Sequence, residues 1–475
     1  MILYIRKTLI LISYSPDQNN QHMKKILIPL IILSLSIINV HAQEKWTLEK
    51  CITYAKEHNI DLQLRKMDAE IQANNTKQSK FDLLPSLNGS TNYNFSYGRT
   101  LRSDNTYGNI NTESGSIGVS SNLTLFSGFQ KWNSVKQNEL DLAASLQDVE
   151  KAKEDLALNI TSYYLDILFN KELLQVAQEK LKVTQLQIER TKVLVEAGTL
   201  PKGTLMEQKA QAARDELDVV TNSNSLDLAI LNLAQLLDLE NTSDFDISSP
   251  DLPVLNASRS MLSPESVFIN ALEFRPEMKA AKLRLESSEK GLIIAKGQRT
   301  PTLSMSGYWG SSYSKDFPEF GLDANGVSTI IRQEMRLGDQ LSNRENKAFG
   351  FNLSIPIFNG GVANRNISNA KVNIARSKLN MQNSKNALRK EIEQAYANAL
   401  AAMKKYFSSE SAVSSTEEAF RYTEEKFNLG LVNSVDYNQE KNNLFGAKSN
   451  LLQAKYEYIF RTKILDFYNG IKIKL

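Results

Sequence analysis

The sequence predicts an elongated α+β membrane protein in which long α-helical coiled-coil hairpins carry four transmembrane β-strands, the whole built as two internal repeats. Three observations predict it. Residues 129–197, 69 in all (197 − 129 + 1), contain no glycine or proline and are bracketed by Gly128 and Gly198; at about 1.5 Å per residue they make one helix on the order of 100 Å long. Every seventh residue from Ile160 is apolar (Ile160, Ile167, Leu174, Leu181, Ile188, Val195), a seam that requires other helices alongside. The seam returns 232 residues later as Ile392, Ala399, Tyr406, Val413, Phe420 and Phe427, in a second run closed by Gly430, which marks a duplication. Finally, Leu87–Tyr97, Gly115–Leu125, Leu303–Tyr313 and Lys347–Ile357 alternate with period two, apolar on one face and small or polar on the other, as strands between lipid and water do.

Taken in order, the chain begins with an extension, residues 1–22, and then Met23, Lys24 and Lys25, an apolar run Ile26–Ile38, and Val40-His41-Ala42. The second part reads as a secretory signal cleaved before Gln43, too short for a spanning helix, with Met23 a rival start to Met1. The expected divisions are therefore 1–42 for the extension and signal, 43–239 for the first repeat, 240–263 for a linker holding Pro250 and Pro253, and 264–475 for the second repeat.

Within the first repeat the apolar spacing of Leu48, Ile52, Ala55, Ile60, Leu64, Met67 and Ile71 predicts a helix over Thr47–Phe81, ended by Pro85. The first strand follows, then an Asn/Ser/Thr-rich loop at Arg99–Ser114, the second strand, and a turn at Leu125-Phe126-Ser127-Gly128 into the long helix. At its far end Gly198 is placed to end that helix and Thr204 to cap a return helix over Leu205–Leu239. The return helix is about half as long as its partner, and Thr47–Phe81 is about the missing half, so the two short helices are expected to stack end to end. In the second repeat Pro301 corresponds to Pro85 at an offset of 216 and Gly360 to Gly128 at an offset of 232. The 16 additional residues fall in the loop Lys315–Asn346, where an insertion is expected if that loop is solvent-facing.

Lipid-facing positions follow from the alternation: Tyr93, Phe95, Val119, Leu123, Trp309, Phe351 and Leu353. Four strands are too few to close a barrel, and an open edge cannot remain in lipid, so two or more chains must share one.

Other classes are excluded by composition. The net charge of +3 arises wholly in residues 1–42, which leaves 52 basic and 52 acidic residues beyond them and no basic bias for nucleic acid. Beyond the leader one histidine, His58, and one cysteine, Cys51, remain, too few for a disulfide framework or a Cys/His zinc site. No nucleotide-binding or catalytic motif is present, so neither enzyme activity nor a cofactor or metal is expected.

The order of helix, strand hairpin, long helix, glycine turn and half-length helix, duplicated, resembles the TolC-like outer-membrane efflux proteins over essentially the whole exported chain. Leu125-Phe126-Ser127-Gly128 and Ile355-Pro356-Ile357-Phe358-Asn359-Gly360-Gly361 look like that family's strand-to-helix junctions, and Arg275-Pro276-Glu277 looks like its motif in the second short helix. The resemblance implies a homotrimer sharing a 12-stranded β-barrel in outer-membrane lipid above an α-helical tunnel through the periplasm. It further implies docking of the tunnel tip to a periplasmic adaptor (a membrane fusion protein) and an inner-membrane pump of resistance-nodulation-division or ABC type. The docking positions it suggests are Gly198, Thr199, Leu200, Pro201, Gly203, Gly430, Leu431, Val432 and Ser434, with Leu200, Leu431 and Val432 exposed. An acidic aperture at the tip is also implied, for which Asp436 is a candidate, helix capping being its other role. The rival reading is a secreted or periplasmic coiled-coil or adaptor protein without a pore.

Overall fold

The computed structural model describes residues 45–101, 105–242, 244–250, 255, 262–315, 318–332 and 335–474. The signal segment and part of the linker lie outside the described residues. The first repeat contains α1 (Leu48–His58), α2 (Ile60–Phe81), β1 (Ser86–Leu101), β2 (Tyr107–Phe126), α3 (Gln130–Glu196) and α4 (Lys202–Leu236). The second contains α5 (Pro264–Phe274), α6 (Pro276–Gly297), β3 (Thr302–Ser314), β4 (Glu319–Leu322), β5 (Ser328–Arg332), α7 (Leu337–Asn343), β6 (Asn346–Ser354), α8 (Val362–Asn428) and α9 (Ser434–Tyr468). Element boundaries repeat at both offsets: α5, α6 and β3 start 216 residues after α1, α2 and β1 (264 − 48), and α8 and α9 start 232 after α3 and α4 (362 − 130).

The first helix is two helices. Asn59 leaves the helical region at φ −60, ψ 125, and its side chain accepts from the Leu62 N–H to cap α2. The break serves the stacking of short helices: Asn59 Nδ2 donates to the Leu236 carbonyl at 3.1 Å, and the Asp238 carboxylate accepts from the Ile60 N–H at 3.0 Å, an anion at the amino end of α2. So α2 continues from the end of α4 along the flank of α3. The second repeat breaks at the matching place, Arg275, followed by Pro276 in the first turn of α6.

Side by side, the helices form one curved layer. One flank of α3 packs on α2 and α4, the other on α6 and α9, and α8 closes the layer against α6 and α9. The main core sits at mid-height, where Ile160, Tyr164 and Ile167 of α3 meet Leu233, Leu237, Leu48, Ile247 and Ile459. Full burial of such side chains is worth about 1.5–3 kcal/mol each. Among the described residues no helix is long and apolar enough to cross a membrane.

The main sheet is antiparallel in the order β1-β2-β3-β6, with β1 and β6 as edges. Two predicted loops change character. Arg99–Ser114 is mostly strand, because the β1–β2 ladder runs unbroken to Leu101 opposite Tyr107; backbone pairing, not side-chain polarity, decides it. Lys315–Asn346 contains the β4–β5 hairpin and α7, and Gln340 of α7 bonds the backbone N–H and carbonyl of Ser314 at 2.9 and 3.0 Å. At the other rim β6 stops at Ser354 rather than Ile357, since Pro356 has no N–H for the ladder.

Candidate functional site

Two places carry the functional features, the sheet and the hairpin tips. Register fixes which strand residues share a face. Leu123 pairs with Met305 and Met305 with Phe351; Val119 pairs with Trp309; Leu303 pairs with Leu353; Tyr93 pairs with Gly115, and Phe95 with Glu113. All seven residues named from the alternation therefore lie on one face. The opposite face carries Asn88, Ser90, Asn92, Ser116, Ser120, Asn122, Ser304, Ser306, Asn352 and similar small neutral groups.

Along the apolar face the charged groups sit at one end. Glu345 contacts Trp309 Nε1 and pairs with Lys347 at 2.9 Å. Farther in the same direction Tyr93 donates to Glu113, which pairs with Lys315 at 2.9 Å. Toward the helices come Phe351, Leu353 and then Ile357 and Phe358, 96% and 88% exposed, with Phe129 and Trp132 beside the start of α3. Leu123 lies between these borders.

At the tips both long helices end identically. Gly198 (φ 73) and Gly430 (φ 74) take the left-handed conformation; the Thr199 N–H donates to the Leu194 carbonyl at 2.9 Å and the Leu431 N–H to the Lys426 carbonyl at 2.9 Å. Each closes the last turn in the way glycine permits. Several expectations for these turns need correction. The return helix α4 starts at Lys202, after Pro201, and Thr204 lies inside it, its N–H bonded to the Pro201 carbonyl at 3.1 Å. Leu200 and Val432 are half-buried and Ser434 is buried, with its hydroxyl donated to Glu207 Oε2 at 2.6 Å; this bond draws the two hairpins together at the tip. The accessible apolar groups are Leu431, Leu429 and Val435, while Thr199, Pro201, Gly203 and Gly430 are exposed. Asp436 does not cap α9. Asn433 does, accepting from the Asp436 N–H at 2.8 Å, and the Asp436 side chain is exposed in the first turn.

Above the tip the sequence reading missed a buried ion cluster. Lys441 of α9 and Asp215 of α4 are both fully buried and paired at 3.2 Å. Asp215 also accepts from the Thr184 hydroxyl of α3, from Gln211 Nε2 at 2.8 Å, and from Lys180 at 3.1 Å. Burial pushes the Asp215 carboxyl up, but the Thr184 hydroxyl, the Lys441 charge, Gln211 and Lys180 more than offset it and hold the group below the usual carboxylate range. Burial pulls the Lys441 ammonium down. The signal available in the sequence was spacing: Thr184, Gln187 and Thr191, and Gln208, Gln211 and Asp215, repeat every three and four residues on facing helices and are all buried.

Of the motif Arg275-Pro276-Glu277, Arg275 does most. Its guanidinium is buried, pairs with Glu154 of α3 at 2.8 Å and Glu277 at 2.9 Å, and lies 4.3 Å from the Phe467 ring centroid of α9, joining both repeats at mid-height. His58 stacks on Tyr54 at 4.0 Å. Among the described residues no group of three or more His, Cys, Asp and Glu is placed to hold a metal ion.

A sheet with one bare apolar face, one uncharged polar face and two open edges, set on a layer of helices about 100 Å long, defines the class: one protomer of an outer-membrane channel with an attached helical tunnel. The chain belongs to the outer membrane efflux protein family, whose model matches residues 52–238 and 268–463. Outer membrane efflux protein BepC of Brucella suis biovar 1 (strain 1330) is 20% identical over 439 residues, covering 92% of this chain and 88% of that protein. Outer membrane protein TolC of Escherichia coli (strain K12) is 23% identical over 440 residues, covering 92% and 84%. Among solved structures, the Campylobacter jejuni CmeC outer membrane channel superposes with a TM-score of 0.75 at 18% identity, covering 89% and 85%. The outer membrane protein VceC of Vibrio cholerae gives 0.74 at 16%, covering 90% and 97%.

Proposed function

We propose that this chain is the outer-membrane exit duct of a tripartite efflux or type I secretion assembly, conducting substrates passively from an inner-membrane pump and periplasmic adaptor to the exterior. The observation that carries the reading is the segregation of the sheet faces. Three chains supply twelve strands, with β6 of one pairing β1 of the next, so that no edge is left in lipid. The small polar face lines water. The face bearing Val119, Leu123, Trp309, Phe351 and Leu353 meets lipid, and Tyr93 and Phe95 stand at its outer rim beside the Glu113–Lys315 pair. From Lys347 to Ile357 a tilted strand climbs roughly 25 Å, the height of an outer-membrane apolar band.

The helical layer needs the same closure. Ile60, Leu64, Met67 and Ile71 form an exposed stripe on α2, and Val372 and Leu379 are exposed on α8, on opposite flanks of the layer. A coiled coil without a pore leaves both the stripe and the bare sheet face without a role.

In this topology the segment 315–346 is extracellular. An epitope inserted at Asn325, in the turn where the Asp323 carboxylate accepts from the Asn325 and Val327 N–H groups, should be reached by antibody on intact cells. Labelling only after rupture of the outer membrane would reverse the topology.

The hairpin ends form the adaptor-docking ring, with Leu429, Leu431 and Val435 as its apolar contacts and the glycines allowing close approach. Backbone strain and bulk are separable at Gly430. Its φ of 74 makes any side chain strained, yet nothing lies within 4 Å of an added Cβ. Gly430→Ala adds strain alone, about 1 kcal/mol, and should keep efflux; Gly430→Trp adds bulk at the contact and should abolish efflux and adaptor crosslinking with the trimer intact. Wild-type efflux in Gly430→Trp would remove this turn from the docking surface.

A further inference from the structure

On the polar face of the sheet one side chain is out of keeping with the rest. Among the described strand residues Tyr308 is the only aromatic on that face, pairing with Ser120 on β2 and Ala348 on β6. Its neighbours explain how it fits. Gly118 and Gly310 are both buried, and what covers them is the Tyr308 ring: a Cβ added at Gly118 would lie 2.9 Å from the Tyr308 hydroxyl oxygen and 3.0 Å from the ring edge. The ring is therefore folded down along the wall, over two positions that have no side chain. The apolar face repeats the device, with the Tyr93 ring 3.1 Å from where a Cβ of Gly115 would stand. Aromatic rings laid over cross-strand glycines in this way cover backbone that would otherwise be bare.

We infer that Tyr308 sets the clear width of the barrel bore, and that Gly118 and Gly310 keep it wide by giving the ring a place to lie flat. The inference rests on the reading of the polar face as the water-lined wall. In a trimer three such rings stand at one level. Held flat they leave the bore to Ser, Asn and Thr side chains, none of them charged, so the wall sorts cargo by size and not by charge. Displaced, the three rings converge on the axis and the same level becomes the narrowest part of the barrel. Neither glycine has a positive φ, so the backbone itself accepts a side chain at both sites. At Gly310 an added Cβ also meets the Ile117 carbonyl oxygen at 2.8 Å, whereas the three nearest atoms at Gly118 all belong to Tyr308. Gly118 is thus the position at which the ring alone is moved.

The test uses the full trimer in intact cells with Asn122→Cys as a reporter, below the Tyr308 level for a reagent entering from outside. Cys51 stays silent, because it is buried and its thiol is pushed up to about 12. Maleimide-linked polyethylene glycols of graded mass are applied from the outside. Gly118→Val should lower the largest reagent that labels the reporter, and Gly118→Val with Tyr308→Ala should restore it. Tyr308→Ala alone should leave the cut-off where it is, since a ring already against the wall obstructs nothing; this variant removes bulk and serves if Gly118→Val does not assemble. A large rise in cut-off for Tyr308→Ala, or an unchanged cut-off in assembled Gly118→Val, overturns the inference. Failure of even the smallest maleimide to label Asn122→Cys overturns the water-face reading beneath it instead.

Discussion

Asp215→Ala is expected to cost about 3–5 kcal/mol of the association between the two hairpins, because it leaves the Lys441 ammonium buried without its partner. The side chains that remain cannot compensate. Thr184 offers one hydroxyl oxygen and Gln211 was oriented by the lost carboxylate. Thermal unfolding of the purified trimer should fall, and amide exchange should rise in α4 and α9 around residues 215 and 441 while the core near Ile160 stays protected. Asp215→Leu with Lys441→Met, which removes both charges and fills the space, should recover most of the loss. A neutral Asp215→Ala would mean that the pair contributes nothing to holding the hairpins together.

The same carboxylate gives a pH dependence of known sign. Its folded value is held below its unfolded one, so the stability it contributes is complete above roughly pH 4 and is lost as pH falls through the folded value. Wild-type trimer should therefore lose stability below about pH 4 more steeply than the double variant. Equal acid sensitivity in both would assign the acid transition to other carboxylates.

Leu123→Arg is the second large effect. Leu123 faces Met305 across the ladder and lies near the middle of the apolar band, between the Glu345–Lys347 pair and Phe358. An arginine at mid-band on a lipid face costs about 2–4 kcal/mol per chain, and each trimer carries three, so assembled, heat-modifiable trimer should be strongly reduced. Asn122→Arg, one residue away and on the other face, should assemble normally, since a side chain that reaches water needs no partner. Equal losses would contradict the assignment of faces.

These two sites differ in how far the sequence discloses them. For Leu123 it discloses nearly everything, because a strand has period two and the alternation Leu123, Leu125 against Asn122, Thr124 names the face without any partner. The long helices are equally legible: an uninterrupted run of 69 residues between glycines has no other regular structure open to it, and the offsets of 216 and 232 reproduce every helix start in the second repeat. Junction details were less so. The break at Asn59 is set by the end of α4 meeting α2, and the strand at residues 107–113 by its ladder with β1; both depend on chain far away in sequence. Lys441 and Asp215 were hidden for the same reason. A polar residue every three or four positions reads as a solvated helix face when the helix is taken alone, and only the packing of α9 against α3 and α4 turns that face inward. Tyr308 is the limiting case. Its identity was plain, but its orientation is fixed by the absence of side chains at Gly118 on one neighbour and Gly310 on its own strand, which only the register brings beneath the ring. The sequence by itself determined period, length and duplication, since these are properties of a single segment. The tertiary structure alone decided which polar groups are buried and where rings lie, because burial and direction belong to pairs of segments.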